Sequence, residues 1–384
     1  MRISGNHRGG KKHAFRGVAL AALLLSGCGG GSGGSSPPPV SLPGPTPTPA
    51  PTPAPTATPA PSGTIAMPAV TAAANASITP NLYIIVGTRA GVVYRYEKGS
   101  FPPTSTFAIA SASKLVASLT IQRLVDRGVM RLDDNPQRYL TYWTSNAADQ
   151  RSRVTLAHLL SFTSGFNTDD TTAGCIADGT TTTALCARAL YEAGPTSAPG
   201  AAFAYGPAHM QIAASMAEAA TGKSWAVLVR DELATPLALT TTFYASPSAS
   251  NPRISGGGVS SIEDYAKLMA GLLDATLIRD PVAFRQNRTI GLPIINQPDN
   301  AVSNGQWHYA LGAWRECDDI PFSARCSSQN ILSSPGAFGW TPWVDFDRGY
   351  WAIIGMQQGF GGSNESVRLE QQIQPLIAAA LGVP

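Results

Sequence analysis

Histidine and cysteine are both scarce in this sequence, with five residues of each among 384. None of them falls in the short, repeated spacings that hold a zinc ion, so the sequence predicts no metal site and implies no cofactor. Long hydrophobic runs are missing as well, because no segment after the first 27 residues is apolar enough to cross a bilayer.

A surplus of positive charge is also missing once the N-terminus is set apart. The whole chain has 27 Lys and Arg residues against 24 Asp and Glu, but five of the basic residues and no acidic residue lie in residues 1–27. The remainder carries 22 basic and 24 acidic residues, a net charge of −2. Because no basic stripe occurs elsewhere, we expect no nucleic-acid partner.

Residues 1–27 have the features of a secretory signal peptide. Basic residues precede a short apolar core at 18–25 (VALAALLL), which is too short to span a bilayer stably. The tetrapeptide that ends in Cys28 (LSGC) resembles a bacterial lipobox, in which the cysteine is lipidated and becomes the first residue. An ordinary signal peptide with a chance cysteine is the alternative. The sequence predicts export and a lipid anchor to the cell envelope, on the outer membrane or cell surface, with a periplasm-facing position as one option.

Residues 28–64 predict a linker between this anchor and a folded domain. The linker begins with Gly and Ser, which form flexible coil, and continues to about residue 61 with Pro, Thr and Ala, which favour an extended polyproline II conformation. Neither composition can bury a core. Residues 65–384 are long enough for one large domain, in which we expect a helical subdomain at roughly residues 130–260.

Four cysteines remain if Cys28 is lipidated, and they are disulfide candidates: Cys175, Cys186, Cys317 and Cys326. Three pairings are possible. Pairing each cysteine with its near neighbour is the most economical because it closes two short loops. An exported protein meets an oxidising compartment in which such bridges persist.

Hydrophobic periodicity places strands at both ends of the folded region and helices between them. Apolar β-rich runs at 81–87 and 91–96 predict a hairpin, and helical spacing predicts a helix over 112–127. Further strands are predicted at 310–316, 336–346 and 350–357, and further helices at 155–160, 208–220, 224–233, 261–273 and 367–381. We therefore predict an α/β (α+β) fold: a mixed, mainly antiparallel sheet built from both chain ends and flanked by helices, with a helical subdomain on one side.

The motif with the clearest chemistry is Ser111-Ala112-Ser113-Lys114, an S-x-x-K at the start of the predicted helix. Residues i and i+3 share a helix face, so the Lys114 amine can reach the Ser111 hydroxyl. A serine is a weak nucleophile without a nearby base, and a desolvated lysine can serve as that base. A helix-capping serine beside a solvated lysine is the alternative interpretation.

Further boxes follow this motif in a fixed order, and together they resemble the β-lactamase-related serine hydrolases: penicillin-binding proteins, class C β-lactamases and family VIII esterases. The resemblance covers about residue 81 to the C-terminus. The boxes are GVMRLDD at 128–134, VTLAHLLSFTSG at 154–165, PGAAFAY at 199–205, TGKSW at 221–225 and SGGGVSS at 255–261.

The resemblance implies a role for each matched residue. Ser111 would be acylated, Lys114 would act as base or proton relay, and Tyr205 of the second catalytic box would be held partly ionised and move a proton. The third residue of that box is usually Asn and is Pro207 here. The best match to the third box, K-T-G or H-x-G in relatives, is Ser334-Pro335-Gly336 with Ala337 after it.

The third box departs from the family pattern in a way that bears on substrate. Ser334 carries no charge, whereas the lysine of lactam-binding relatives attracts a substrate carboxylate. Gly336 still allows close backbone approach, and the N–H groups of Ala337 and Ser111 would form an oxyanion hole. The departure favours a neutral ester or an amide. Nearby aromatic residues could line an apolar cleft or pack in the core, and these are Trp307, Trp314, Phe338, Trp340 and Trp343.

The functional hypothesis is a serine hydrolase that cleaves a small-molecule or cell-surface acyl substrate. The two alternatives are a D,D-peptidase or β-lactamase that acts on cell-wall peptides or β-lactams, and a non-catalytic surface-tethered binding or sensor protein. No G-x-S-x-G elbow is present, and no Ser-His-Asp set is evident, so an α/β-hydrolase is not predicted. His158 is expected to be structural, and His209 and His308 have no assigned role. The oligomeric state stays open.

Overall fold

The computed structural model describes residues 64–166, 174–298, 307–317 and 323–384. The predicted signal peptide, Cys28 and all but the last residue of the predicted linker lie outside these ranges. Among the helices within them, none combines the length and the hydropathy needed to cross a membrane.

The strands of this part of the chain form three sheets. In chain order they are β1 (Leu82–Thr88), β2 (Gly91–Lys98), β3 (Phe107–Ala108), β4 (Phe203–Ala204), β5 (Phe243–Tyr244), β6 (Gly258–Ser260), β7 (Ile294–Asn296), β8 (His308–Tyr309), β9 (Trp314–Arg315), β10 (Ile331–Ser333), β11 (Trp340–Asp345) and β12 (Tyr350–Met356).

The α-helices lie mainly between the two groups of strands. They are α1 (Pro68–Ala76), α2 (Ser113–Asp126), α3 (Leu156–Leu160), α4 (Gly174–Ala177), α5 (Thr183–Ala193), α6 (Ala208–Thr221), α7 (Trp225–Val229), α8 (Ile262–Leu273), α9 (Pro281–Phe284), α10 (Ala324–Ser328) and α11 (Gly362–Leu381). A 3₁₀ turn at Ala110–Ala112 leads into α2.

The main sheet joins the two ends of the folded region. Its strand order is β2-β1-β12-β11-β10-β9-β8, and every pair between neighbours is antiparallel. Strand β1 pairs with β12 from Leu82 opposite Met356 to Thr88 opposite Tyr350. The predicted sheet built from both chain ends, with flanking helices, is therefore confirmed.

Both faces of this sheet are covered, because alternate side chains of β1 enter two different hydrophobic clusters. Tyr83 and Ile85 join the larger cluster, which contains most of α2, α6 and α8. Ile84 and Val86 join the smaller cluster, which is closed by residues of α1 and α11. Helix α2 lies deep in the larger cluster and is buried along nearly its whole length.

Two predicted strands differ from the observed ones because glycines turn the chain. The segment 310–316 is the end of a short hairpin, β8–β9, in which Gly312 has φ +70°. The segment 336–346 becomes a strand only at Trp340, because Gly336–Gly339 forms a turn in which Gly339 donates its N–H to the Gly336 carbonyl at 2.9 Å. Helices α1 and α5 and strand β10 were not predicted.

The four remaining cysteines form the two local pairs. Cys175 is bonded to Cys186 and Cys317 to Cys326, each with a Cα–Cα distance of 5.2 Å. Each bridge closes a short loop, as the economy of the local pairing predicts.

A close approach between neighbouring strands makes Gly87 sensitive to substitution. Gly87 lies opposite Trp351, and a Cβ at Gly87 would overlap the buried indole ring. We expect Gly87→Ala to lower the free energy of unfolding by about 1–3 kcal/mol, because the ring has to shift in a packed core. Gly174→Ala is the control, since a Cβ there meets no atom within 4 Å. Chemical denaturation measures both, and an unchanged stability for Gly87→Ala would contradict the prediction.

Candidate active site

Ser111 lies in a turn that is held in place from several sides. The residue before it, Ala110, has φ +43°, a conformation that L-residues rarely adopt. The Ser113 hydroxyl donates to the Ala110 carbonyl at 2.5 Å and accepts the Gly258 N–H at 3.0 Å. The phenol of Tyr265 donates to the Ala112 carbonyl at 2.9 Å. These contacts fix the backbone around the Ser111 hydroxyl.

Lys114 lies one helical turn after Ser111 and is directed toward it. Its Nζ is 3.0 Å from Ser111 Oγ and donates to the Ser255 carbonyl at 2.8 Å. The side chain is almost completely buried. Burial lowers the pKa of Lys114 to about 7, and the positive charge of Arg253 acts in the same direction. The spacing-based prediction of a Ser111–Lys114 contact agrees with this geometry.

Tyr205 lies on the other side of the lysine. Lys114 Nζ is 4.6 Å from the centroid of the Tyr205 ring, and the ring is stacked on Trp314 at 5.1 Å between centroids. Burial raises the pKa of Tyr205 well above its ordinary value, while a hydrogen bond with Ser111 acts in the opposite direction. The phenol is thus protonated at neutral pH, which differs from the partly ionised state expected from the sequence.

A buried histidine supports the short strand that precedes Tyr205. His209 Nε2 is 2.9 Å from the Ala204 carbonyl, which can only accept, so Nε2 carries the proton and Nδ1 accepts from the Ser164 hydroxyl at 2.8 Å. Burial lowers the pKa of His209 to about 4, so the ring is neutral. No role for His209 follows from the sequence, and in the structure it holds the backbone beside Tyr205.

Two more histidines lie in the described ranges, and neither lines the pocket that contains Ser111. His158 forms a capping box with Thr155 at the start of α3, since each side chain bonds the other's backbone N–H, which agrees with its predicted structural role. His308 is at the beginning of β8, with Nδ1 at 2.6 Å from Asn287 Nδ2. No cluster of three metal-type ligands occurs within the described ranges.

The third box packs directly against the nucleophile turn. A Cβ at Gly336 would overlap the Ile109 carbonyl oxygen, so only glycine fits this approach. The Ser334 hydroxyl donates to the Ser111 carbonyl at 3.3 Å. Ser334 is buried and contacts the nucleophile's backbone, whereas Ala337 lines the same pocket as Ser111. The predicted strand residues are therefore beside Ser111, and they enter from a turn rather than from a regular strand.

A cavity of about 230 Å³ is lined by Ser111, Lys114, Tyr205 and Ala337, among other residues. Of the five nearby aromatic residues singled out in the sequence, only Phe338 lines it; the four tryptophans are buried in the core, and Trp314 supports Tyr205 from behind. Phe360 and Pro207 also line the cavity. Of the two alternatives left open by the sequence, core packing therefore holds for the four tryptophans and cleft lining for Phe338.

Arg253 is a charged lining residue that the sequence motifs did not indicate. It lies just before the glycines of the SGGGVSS box, and a Cβ at Gly256 would be 3.7 Å from Arg253 Nε and 4.0 Å from the Ala110 carbonyl carbon. Arg253 places a cation in the pocket, although the third box has none, as the sequence indicates. Its proximity to the matched box was the available signal. The side chain lines the pocket from the loop before β6, the strand that pairs with β3.

The fold and this arrangement define a serine hydrolase of the β-lactamase and penicillin-binding-protein type. A family model described as Beta-lactamase matches residues 69–370, and the chain belongs to that family. Penicillin-binding protein 4 of Amycolatopsis lactamdurans is 30% identical over 154 residues, which are 39% of each chain. The chain thus matches well under two thirds of that relative's length.

Solved structures share the fold at low sequence identity. A β-lactamase-type protein of Bacteroides dorei DSM 17855 has a TM-score of 0.68 at 23% identity, covering 81% of this chain and 99% of the other. EstCE1, described as a hydrolase with promiscuous acyltransferase activity, has a TM-score of 0.65 at 17% identity, covering 81% and 97%.

The Lys114 ammonium should titrate near neutral pH. With ¹³C-labelled lysine, NMR should show its midpoint near pH 7, against about 10.4 for an exposed lysine. Arg253→Gln removes a nearby positive charge that destabilises the Lys114 ammonium. The midpoint of the Lys114 titration should therefore rise. Arg279→Gln, at an exposed arginine outside the pocket lining, is the matched control. A midpoint that stays in place or falls in Arg253→Gln would contradict this electrostatic coupling.

Proposed function

We propose that this protein hydrolyses an ester, or an amide, through an acyl-enzyme on Ser111. The observation that carries the proposal is the 3.0 Å approach of Lys114 Nζ to Ser111 Oγ in a buried position. With a pKa of about 7, a large fraction of Lys114 is neutral at physiological pH. A neutral amine at this distance can take the hydroxyl proton as Ser111 attacks the carbonyl carbon.

The remaining steps use groups that line the same cavity. The N–H groups of Ser111 and Ala337 would stabilise the negative charge that develops on the carbonyl oxygen. Tyr205 is protonated and hydrogen-bonded to Ser111, so it is suited to give a proton to the leaving group and recover one from Lys114. Water then attacks the carbonyl carbon of the acyl-enzyme. The same groups transfer protons in the reverse order, which restores the Ser111 hydroxyl.

A second candidate is a D,D-peptidase or β-lactamase activity on cell-wall peptides or β-lactams. Arg253 favours it, because it places a cation in the pocket although the third box has none. The ester remains the first choice, since Arg253 enters from the loop before β6 and not from the third-box position. A non-catalytic binding or sensor role is disfavoured by the complete Ser111, Lys114 and Tyr205 set.

Hydrolysis of p-nitrophenyl acetate tests the proposal directly. We expect turnover by the purified protein and a loss of at least about 10³-fold in kcat for Ser111→Ala, because the acyl-enzyme cannot form. A fluorophosphonate probe should label the protein but not this variant. Ser100→Ala, at an exposed serine, is the control. Equal rates for the protein and Ser111→Ala, or no turnover at all, would sink the ester proposal, and acylation by labelled penicillin would then favour the second candidate.

We also propose export with lipid attachment at Cys28. Two disulfides in the folded domain support an oxidising compartment. Expression in a bacterial host with radiolabelled palmitate should label the protein and place it in the membrane fraction. Cys28→Ser should abolish the label, whereas Cys28-independent labelling would contradict the lipobox prediction.

A further inference from the structure

Two phenylalanines form one wall at the mouth of the catalytic cavity. Phe338 and Phe360 both line it, with ring centroids 5.2 Å apart and ring planes at 67°. Phe360 is 85% exposed, which is the highest exposed fraction of any large apolar residue in the described ranges. A phenylalanine left in water beside a catalytic pocket is available to cover an apolar group of a bound molecule.

The backbone connects this pair to the nucleophile. Phe338 directly follows Ala337, and its carbonyl accepts the Gln358 N–H at 3.1 Å. The Met356 N–H donates to the Gly339 carbonyl at 2.9 Å, so the loop that carries Phe360 is attached to the turn of the third box. The aromatic pair therefore keeps a defined position relative to Ser111.

The loop leaves room around Phe360. Glycines flank it, and a Cβ at Gly359 or Gly361 would meet no atom within 4 Å. Gly361 has φ +98°, which favours glycine and sets the direction in which the chain leaves the loop toward α11.

Apart from Phe338 and Phe360, the cavity is lined by polar side chains and by small apolar residues. Ser111, Lys114, Arg253 and Ser255 make one side polar, and the Tyr205 ring is already covered by Trp314 and Lys114. A cavity of about 230 Å³ is also smaller than the roughly 300–1,000 Å³ of a typical small-molecule pocket. It holds the reacting group, and the adjoining part of a substrate has to lie against the rim.

We infer that Phe338 and Phe360 form a subsite for an aryl group attached to the scissile ester or amide. The inference rests on the proposed acyl transfer at Ser111 and adds a substrate class to it. Edge-to-face and offset contacts between aromatic rings would position the carbonyl at Ser111 and favour aryl substrates over alkyl ones.

Two matched substrate pairs test this subsite in the full-length protein. The first pair, p-nitrophenyl 3-phenylpropanoate and p-nitrophenyl propanoate, places the aryl group on the acyl side; the second, 2-phenylethyl acetate and ethyl acetate, places it on the alcohol side. We expect the aryl member of one pair to have the higher kcat/KM, and that ratio to fall about tenfold in Phe360→Ala. Phe360→Tyr should keep the ratio.

Phe243→Ala is the matched control, because Phe243 is exposed but does not line the cavity. Phe360 is exposed, so its alanine variant should fold, and Phe338→Leu provides a second lesion in the pair. Ratios within twofold of the original in both pairs for Phe360→Ala, or no aryl preference in the unmodified protein, would overturn the subsite.

A binding measurement separates this inference from the proposed function. NMR titration of the Ser111→Ala variant with 3-phenylpropanamide and with propanamide needs no turnover. The subsite is supported if Ser111→Ala binds the aryl amide more tightly than propanamide and the double variant with Phe360→Ala does not. This result would hold even if no ester is cleaved. Equal binding of the two amides, together with Ser111-dependent hydrolysis of p-nitrophenyl acetate, overturns the subsite and leaves the acyl-transfer proposal intact.

Discussion

The burial of one amine is the constraint on which the site depends. Lys114 would be costly to bury as an ammonium, and the structure offsets that cost with the Ser255 carbonyl, the Ser111 hydroxyl and the face of Tyr205. Core residues surround the helix that carries Lys114, so water does not solvate the ammonium fully and the pKa of Lys114 stays below its ordinary value. The packing of α2 in the core therefore explains why Lys114 has a pKa near neutral pH.

Other features of the site follow from the need to hold Ser111 against that amine. Ala110 adopts an unfavourable backbone conformation, and this persists because bonds from Ser113 and a tightly packed Gly336 surround the turn. His209 and Trp314 act similarly on Tyr205, one through the preceding backbone and one through ring stacking. Buried hydrogen bonds and core packing together thus hold the polar groups of the site in position.

Local sequence patterns predicted those parts that local geometry determines. The S-x-x-K spacing gave the Ser111–Lys114 contact, and the short cysteine separations gave both bridges. The ordered boxes gave the family. Arg253 lies beside a matched box, but its place in the cavity depends on how the chain folds, and Phe360 enters from a loop that no local pattern marks. The same holds for α1, whose helical segment is stabilised by packing near the C-terminal helix α11.

The pairing of β1 with β12 has a consequence for timing. The wall of the cavity opposite Ser111 comes from the last quarter of the chain, and the contact between Ser334 and Ser111 spans 223 positions. Such long-range contacts close late in folding because a large loop must first be ordered. A chain still emerging from the ribosome or a membrane pore already has its serine and lysine but lacks Ala337 and the aromatic rim. The site is complete only after the C-terminal part of the chain, which carries Ala337, Phe338 and Phe360, has been synthesised and has folded.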